Sequence, residues 1–246
     1  MRIDEAKCVG CGACQSFCTM SAIGFAAGGA RGRRLVSLVD EDACVDCGVC
    51  ERSGICPVDA LHQPVTEWPR SVRGTFSNPL IEHKETRVPG RGTEEMKTND
   101  ITGRYRPGYV GLGVEMGRPS CGAFLREVEK ITRPLLALGV KLEPKNPLTS
   151  LVLPDGSINP EVRDEKVLSC IVEFVVPRGR LPEVLACIST AAAGLDTVCS
   201  IDLVELAQPG VEPAADIARR CGELPYPDGK INVGLGRPLF AGEVDA

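Results

Sequence analysis

Residues 8–19 read CVGCGACQSFCT and residues 44–57 read CVDCGVCERSGICP. Each is a C-x2-C-x2-C run followed by a fourth cysteine, giving Cys8, Cys11, Cys14 and Cys18 in the first and Cys44, Cys47, Cys50 and Cys56 in the second. Three thiolates at this spacing can fold round one corner of an iron–sulfur cube, and a more distant cysteine closes the fourth iron. The cysteines therefore supply two complete four-ligand sets. Paired C-x2-C units also make tetrahedral zinc sites. A third cysteine at the same spacing, twice over, is not what a zinc ribbon needs, so the spacing favours iron and sulfide. Gly10, Gly12 and Gly48 stand between the ligands, where the lack of a Cβ allows positive φ and a close approach of backbone to inorganic sulfide.

Further residues carry a resemblance. MRIDEAKC at 1–8 is similar to the lead-in strand of the bacterial two-[4Fe–4S] ferredoxin domain, SAIGF at 21–25 and VDALH at 58–62 to the segments after each fourth cysteine, and Pro57 follows Cys56 as in that family. The resemblance covers residues 1–62 and implies two [4Fe–4S] clusters that exchange single electrons. In that family the fourth cysteine of each run ligates the other cluster. Carried over, one cluster takes Cys8, Cys11, Cys14 and Cys56, and the other takes Cys44, Cys47, Cys50 and Cys18. Two features depart from the pattern: Thr19 stands where the family has proline, and five residues rather than three separate Cys50 from Cys56. Clusters of this kind are oxygen-sensitive, which implies an anaerobic setting.

The chain has 246 residues, a net charge of −5, 43% hydrophobic and 4% aromatic residues. A nucleic-acid binder shows a basic stripe with stacking aromatics, and the low aromatic content and net negative charge count against one. No apolar run approaches the ~18 residues of a membrane span, and no charged-then-apolar leader precedes Ile3, so the expected compartment is the cytoplasm. Thirteen cysteines would suggest disulfides in a small secreted domain, but their spacing and odd total point to metal thiolates in a reducing compartment.

The expected fold class is α+β, in four segments. Residues 1–61 form the ferredoxin domain, with FAAGGARGRRLVSLVDEDA at 25–43 read as a hairpin whose tip carries solvated Arg31, Arg33 and Arg34. Residues 62–108 hold scattered prolines and glycines and no lasting helical or strand period, which describes an extended linker or an arm. Its Trp68, Phe76, Leu80, Ile81, Ile101 and Tyr105 favour an arm that wraps the second domain or a partner. His62 and His83 read as surface histidines.

From Tyr109 periodicity returns. YVGLGVEM suits a strand, and Ser120–Leu138 has helical spacing with Ser120 as its N-cap. A short strand at Val140–Leu142, the loop PDGSINP, the strand run VLSCIVEFVV, a helix through LPEVLACISTAAAG and the strand TVCSIDLVEL follow. This βαββαβ order over 109–207 predicts a ferredoxin-like α/β sandwich and, by element order alone, resembles the small regulatory domains of ACT type. Residues 208–246 form a tail whose VGLGRP at 233–238 echoes VGLGVEMGRP at 110–119. Plain turns outweigh an anion site there, because neither has the spacing of a phosphate-binding loop. Cys170, Cys187 and Cys199 read as core residues, and Cys121 as a thiol at a helix N-terminus without a histidine to activate it.

No flavin or nicotinamide fingerprint and no histidine-based acid–base pair is present in the sequence. The expected role is a non-catalytic iron–sulfur subunit of a cytoplasmic oxidoreductase complex, relaying electrons between a soluble ferredoxin-type carrier and another subunit. The competing expectation is a redox- or ligand-sensing regulatory protein whose second domain binds a small molecule.

Overall fold

A computed structural model describes residues 1–28, 34–90, 104–118 and 121–226. Arg31, Arg33, the side chain of Arg34, Ile101, Ser120 and the VGLGRP of 233–238 lie outside the described residues.

The cysteine-bearing unit is built from two similar halves. β1 (Arg2–Ile3) pairs antiparallel with β4 (Leu61–His62), so the start and end of the unit close on each other. Between them β2 (Ile23–Gly28) and β3 (Arg34–Val39) form the expected hairpin, with Phe25 opposite Ser37. A 3-10 turn at Ala13–Phe17 and the one-turn helix α1 (Val49–Arg52) occupy equivalent places after each run's second cysteine. The internal repeat extends to the backbone. Ser21 and Asp59, each three residues past its run's fourth cysteine, adopt φ of 52° and 49°, and the alanines that follow, Ala22 and Ala60, are both buried.

The arm is more ordered than its composition suggested. It contains a helix, α2 (Ser71–Ser77), whose Val72 and Phe76 join the core of the second domain. SVRGTFS mixes β-branched residues with glycine, which gives poor intrinsic helix propensity, so its helicity depends on the surfaces it packs against. Leu168 N donates to Ser77 Oγ at 2.9 Å, and Trp68 Nε1 donates to Glu161 Oε2 at 2.9 Å. His83 is not a surface residue: it is buried edge-to-face against Phe76 with Nε2 2.7 Å from the Gly90 carbonyl. The arm doubles back there through a Glu82–Pro89 bridge, and burial pushes the His83 imidazole pKa down. Phe76 and Tyr105 are the buried anchors, whereas Leu80, Ile81 and Trp68 remain exposed.

In the second domain β5 (Tyr109–Met116) is the central strand. It is followed by β6 (Ala123–Phe124), α3 (Leu125–Ala137), β7 (Lys166–Val167), β8 (Cys170–Pro177), α4 (Leu181–Ala192) and β9 (Cys199–Val204). β5 pairs antiparallel with β8 on one side and β9 on the other. The strand expected at Val140–Leu142 is reduced to one antiparallel bridge, Leu142 to Phe174. The sheet order β9, β5, β8, Leu142 is the split βαβ arrangement, and the described residues make an α+β protein. α3 begins four residues later than its expected N-cap at Ser120 implied, because Ala123 and Phe124 are drawn into a ladder with Val167 and Lys166. Cys121 consequently lies in the turn before β6, exposed and away from the helix end.

Alternate residues of β5, Val110, Leu112, Val114 and Met116, are fully buried on the helix side of the sheet, against Val128, Ile131 and Leu135 of α3 and Val184, Leu185 and Ile188 of α4. On the opposite face Tyr105 of the arm lies so close over Gly111 that a Cβ there would meet its ring at 2.2 Å. Arg104 pairs at 3.1 Å with Glu143 beside it. The tail is not wholly irregular, since α5 (Ala214–Arg220) packs Ala214, Ile217 and Ala218 into the same core. Among the described residues no helix is long and apolar enough to cross a membrane.

Ile131 makes the dependence on this core measurable. Ile131→Ala is expected to cost about 2–5 kcal/mol by removing buried methyl groups and leaving a cavity. Chemical denaturation of the variant beside the parent protein reads that difference, and a loss below about 1 kcal/mol would contradict the packing described.

Candidate iron–sulfur centres

The loops that bear the cysteines enclose two open hollows. The first is lined by Cys8, Cys11 and Cys14 of the first run and by Cys56 of the second, with Ile3 and Val58 among its apolar walls. The second is lined by Cys44, Cys47 and Cys50 and by Cys18, with Met20 and Val39 among its walls. Each hollow thus gathers three cysteines of one run and the fourth of the other. Among the described residues no group of His, Cys, Asp or Glu side chains is disposed to hold a single metal ion. Each set of four thiols instead faces one shared hollow, the arrangement that a larger inorganic group needs.

The polar surroundings of the sulfurs suit that group. Ala22 N donates to Cys18 Sγ at 3.1 Å and Ala60 N to Cys56 Sγ at 3.2 Å, the same bond in both halves of the repeat. Gly10 N and Ser37 N each donate to Cys8 Sγ at 3.4 Å, and the Ser37 hydroxyl lies 3.6 Å from Cys14 Sγ. Donors aimed at sulfur stabilise thiolates and tune a cluster bound to them. With donors and four cysteines on dry walls, the residues fit an iron–sulfur cluster in each hollow. In the free thiol form burial pushes Cys14 and Cys44 up, and burial together with neighbouring Cys47, Cys18 and Cys44 pushes Cys50 to about 11. Ligation therefore requires release of protons from these thiols.

Local backbone geometry explains the glycines. Gly10 and Gly12 flank Cys11 with φ of 65° and 74°. A Cβ on Gly10 would lie 2.0 Å from the Leu35 carbonyl oxygen, and one on Gly12 2.6 Å from the Phe25 ring. The close approach observed at these positions is to the hairpin, which roofs this loop and carries Ser37 to the first hollow. Of the candidate ligands, Cys11 is exposed, Cys8, Cys14, Cys44 and Cys50 are buried, and Cys18, Cys47 and Cys56 are half-buried.

Several residues at the second hollow were not singled out from the sequence. Asp46, fully buried beside Cys44, is paired with the Met1 ammonium and, at 3.0 Å, with Arg70 Nε. Burial works to raise its pKa, and those two cations outweigh burial and hold it below the usual carboxylate range. Arg73 Nη1 donates to the carbonyls of Glu41, Asp42 and Cys44 at 2.7, 3.2 and 2.9 Å. Gln63 Nε2 donates to Asp46 O, and Arg52 Nη1 to Cys47 O, both at 2.8 Å. Nothing in the sequence around Arg70 or Arg73 marks them, since both sit in the aperiodic arm. Ser37 left a trace, a lone hydroxyl within the apolar run LVSLV.

Residues 7–60 match the family model of the 4Fe-4S dicluster domain. They form a ferredoxin-type iron–sulfur domain. No curated protein and no solved structure matches the chain. An iron–sulfur electron-transfer role follows from this domain.

The ferredoxin-type domain allows a test of how the two cysteine sets are divided. The double variant Cys11→Ser/Cys56→Ser, which takes both ligands from one hollow, is expected to keep about half of the parent's iron, and Cys11→Ser/Cys18→Ser far less, since each cluster needs its four cysteines. Iron and sulfide analysis after anaerobic purification decides. The opposite ranking would mean that each run closes its own site.

Proposed function

We propose that the protein is an electron-transfer subunit of a cytoplasmic oxidoreductase complex, carrying single electrons through two [4Fe–4S] clusters between a soluble ferredoxin-type carrier and the redox site of a partner subunit. The observation that carries this reading is the presence of two four-cysteine hollows in one domain of about 60 residues, since two centres held in so small a body form a short path. When bound, each cluster supplies one-electron chemistry over potentials of roughly −700 to +450 mV. The chain's own part is to fix the thiolates, aim N–H groups at them and exclude water with apolar walls such as Ile3, Val58, Met20 and Val39. Cys11 brings one set to the surface, where a carrier can approach.

The rest of the chain supports a bound subunit over a free carrier. A mobile ferredoxin needs little beyond residues 1–61, whereas here an arm and a second domain add about three-quarters of the length. In this reading they provide docking surface and the reaction's bond-making groups belong to the partner.

Anaerobic purification at native abundance, with mass spectrometry of whatever stays bound, tests the proposal. A stoichiometric redox polypeptide with its own flavin, metal or thiamine cofactor is the expected result. Recovery of the protein alone with both clusters in place would overturn the subunit reading.

A further inference from the structure

The two hollows differ in what lies behind them. The second is joined to the second domain at two places. Gly122, in the turn before β6, sits against Met20 of the hollow's wall, so that a Cβ on Gly122 would be 2.7 Å from Met20 Cε. Arg73 of α2, only 5% exposed, donates to three carbonyls of the 41–44 loop, that of the ligand residue Cys44 included, while its Nε pairs with Glu165 next to β7. The helix carrying Arg73 is anchored to the second domain by Val72, Phe76 and Ser77. One guanidinium therefore bonds the backbone of a cluster-ligand loop and a carboxylate of the second domain at once.

We propose that Arg73 is a positioning residue that ties the site of Cys18, Cys44, Cys47 and Cys50 to the second domain and, through its charge and that of Glu165, sets the reduction potential of that site relative to the site of Cys11. Charges this far from bulk water act on each other with little screening. Reduction adds one electron to the site, with no bond made and no proton taken up, so a nearby cation favours the reduced form and a nearby carboxylate opposes it. Arg73 and Glu165 hence act in opposite directions on one centre. Any shift in the second domain that separates the pair changes the balance felt at the Cys47 site, which gives that domain a way to influence electron flow without supplying a ligand. The Cys11 site is not lined by the 41–44 loop that Arg73 bonds, and so is outside this arrangement. The inference rests on the reading that both hollows hold clusters.

The test is a mediated potentiometric titration of the purified full-length protein, followed by electron paramagnetic resonance. Two reducible centres in the parent protein establish the two-cluster reading by themselves, and one centre would overturn that reading and this inference with it. Given two, Arg73→Gln is expected to lower the reduced-to-oxidised ratio of one centre at fixed potential by about tenfold, which is 59 mV for one electron. Glu165→Gln, which leaves every bond from Arg73 to the carbonyls in place, is expected to raise the ratio of the same centre. Arg73→Lys, keeping the charge, is expected to restore much of the parent value. The centre lost in Cys47→Ser should be the one that moves. A residue with a packing role alone would shift neither ratio or move both variants the same way, and either result overturns the proposal. Should Arg73→Gln fail to retain the cluster of the Cys47 site, Glu165→Gln decides on the same readout: a raised ratio supports the proposal and an unchanged or lowered one overturns it.

Discussion

Each four-cysteine set is completed from the other run, so neither half of the ferredoxin-type domain can gather four cysteines round a hollow alone. Cys56 must reach the loop of Cys8, Cys11 and Cys14, and Cys18 must reach that of Cys44, Cys47 and Cys50. The surrounding backbone serves this exchange. The β1–β4 ladder brings the two ends together, and the matched positive-φ turns at Ser21 and Asp59 direct Ala22 N and Ala60 N back to the sulfurs of Cys18 and Cys56. Extra residues between Cys50 and Cys56 are absorbed in the turn after α1, where Gly54 takes φ of 63°, leaving Cys56 on the first hollow.

A ligand loop has few backbone partners of its own, and in a small domain its carbonyls cannot all be met by secondary structure. Buried carbonyls left without donors are costly. At the second hollow Arg52 of the repeat meets the Cys47 carbonyl, and the other donors come from outside the repeat, from Gln63, Arg70 and Arg73. These residues belong to the arm, and the arm in turn packs its apolar residues into the second domain. Loop, arm and second domain thus depend on one another, and the asymmetry between the two otherwise similar sites follows from the loop that the arm happens to cover.

What the sequence revealed followed from how local each signal is. Cysteine spacing, the hairpin of residues 25–43 and the strand and helix periods of β5, α3, β8, α4 and β9 are short-range patterns, and all could be read directly. The exchange of fourth cysteines came from family resemblance, because spacing alone leaves open which run closes which site. Where long-range contacts decide, the residues were silent. α2 has poor helical propensity and forms on two surfaces, His83 is buried by a fold-back of the arm, and the start of α3 is set by a ladder to residues some forty positions away. Arg73 belongs to the same class: nothing beside it in the chain shows that it meets residue 41 and residue 165 together.

Anomalous diffraction at the iron edge from anaerobically grown crystals tests the central claim most directly. The account predicts two separate four-iron peaks, one among Cys8, Cys11, Cys14 and Cys56 and the other among Cys18, Cys44, Cys47 and Cys50. A single peak, a signal at the zinc edge instead, or peaks each enclosed by the four cysteines of one run would contradict it.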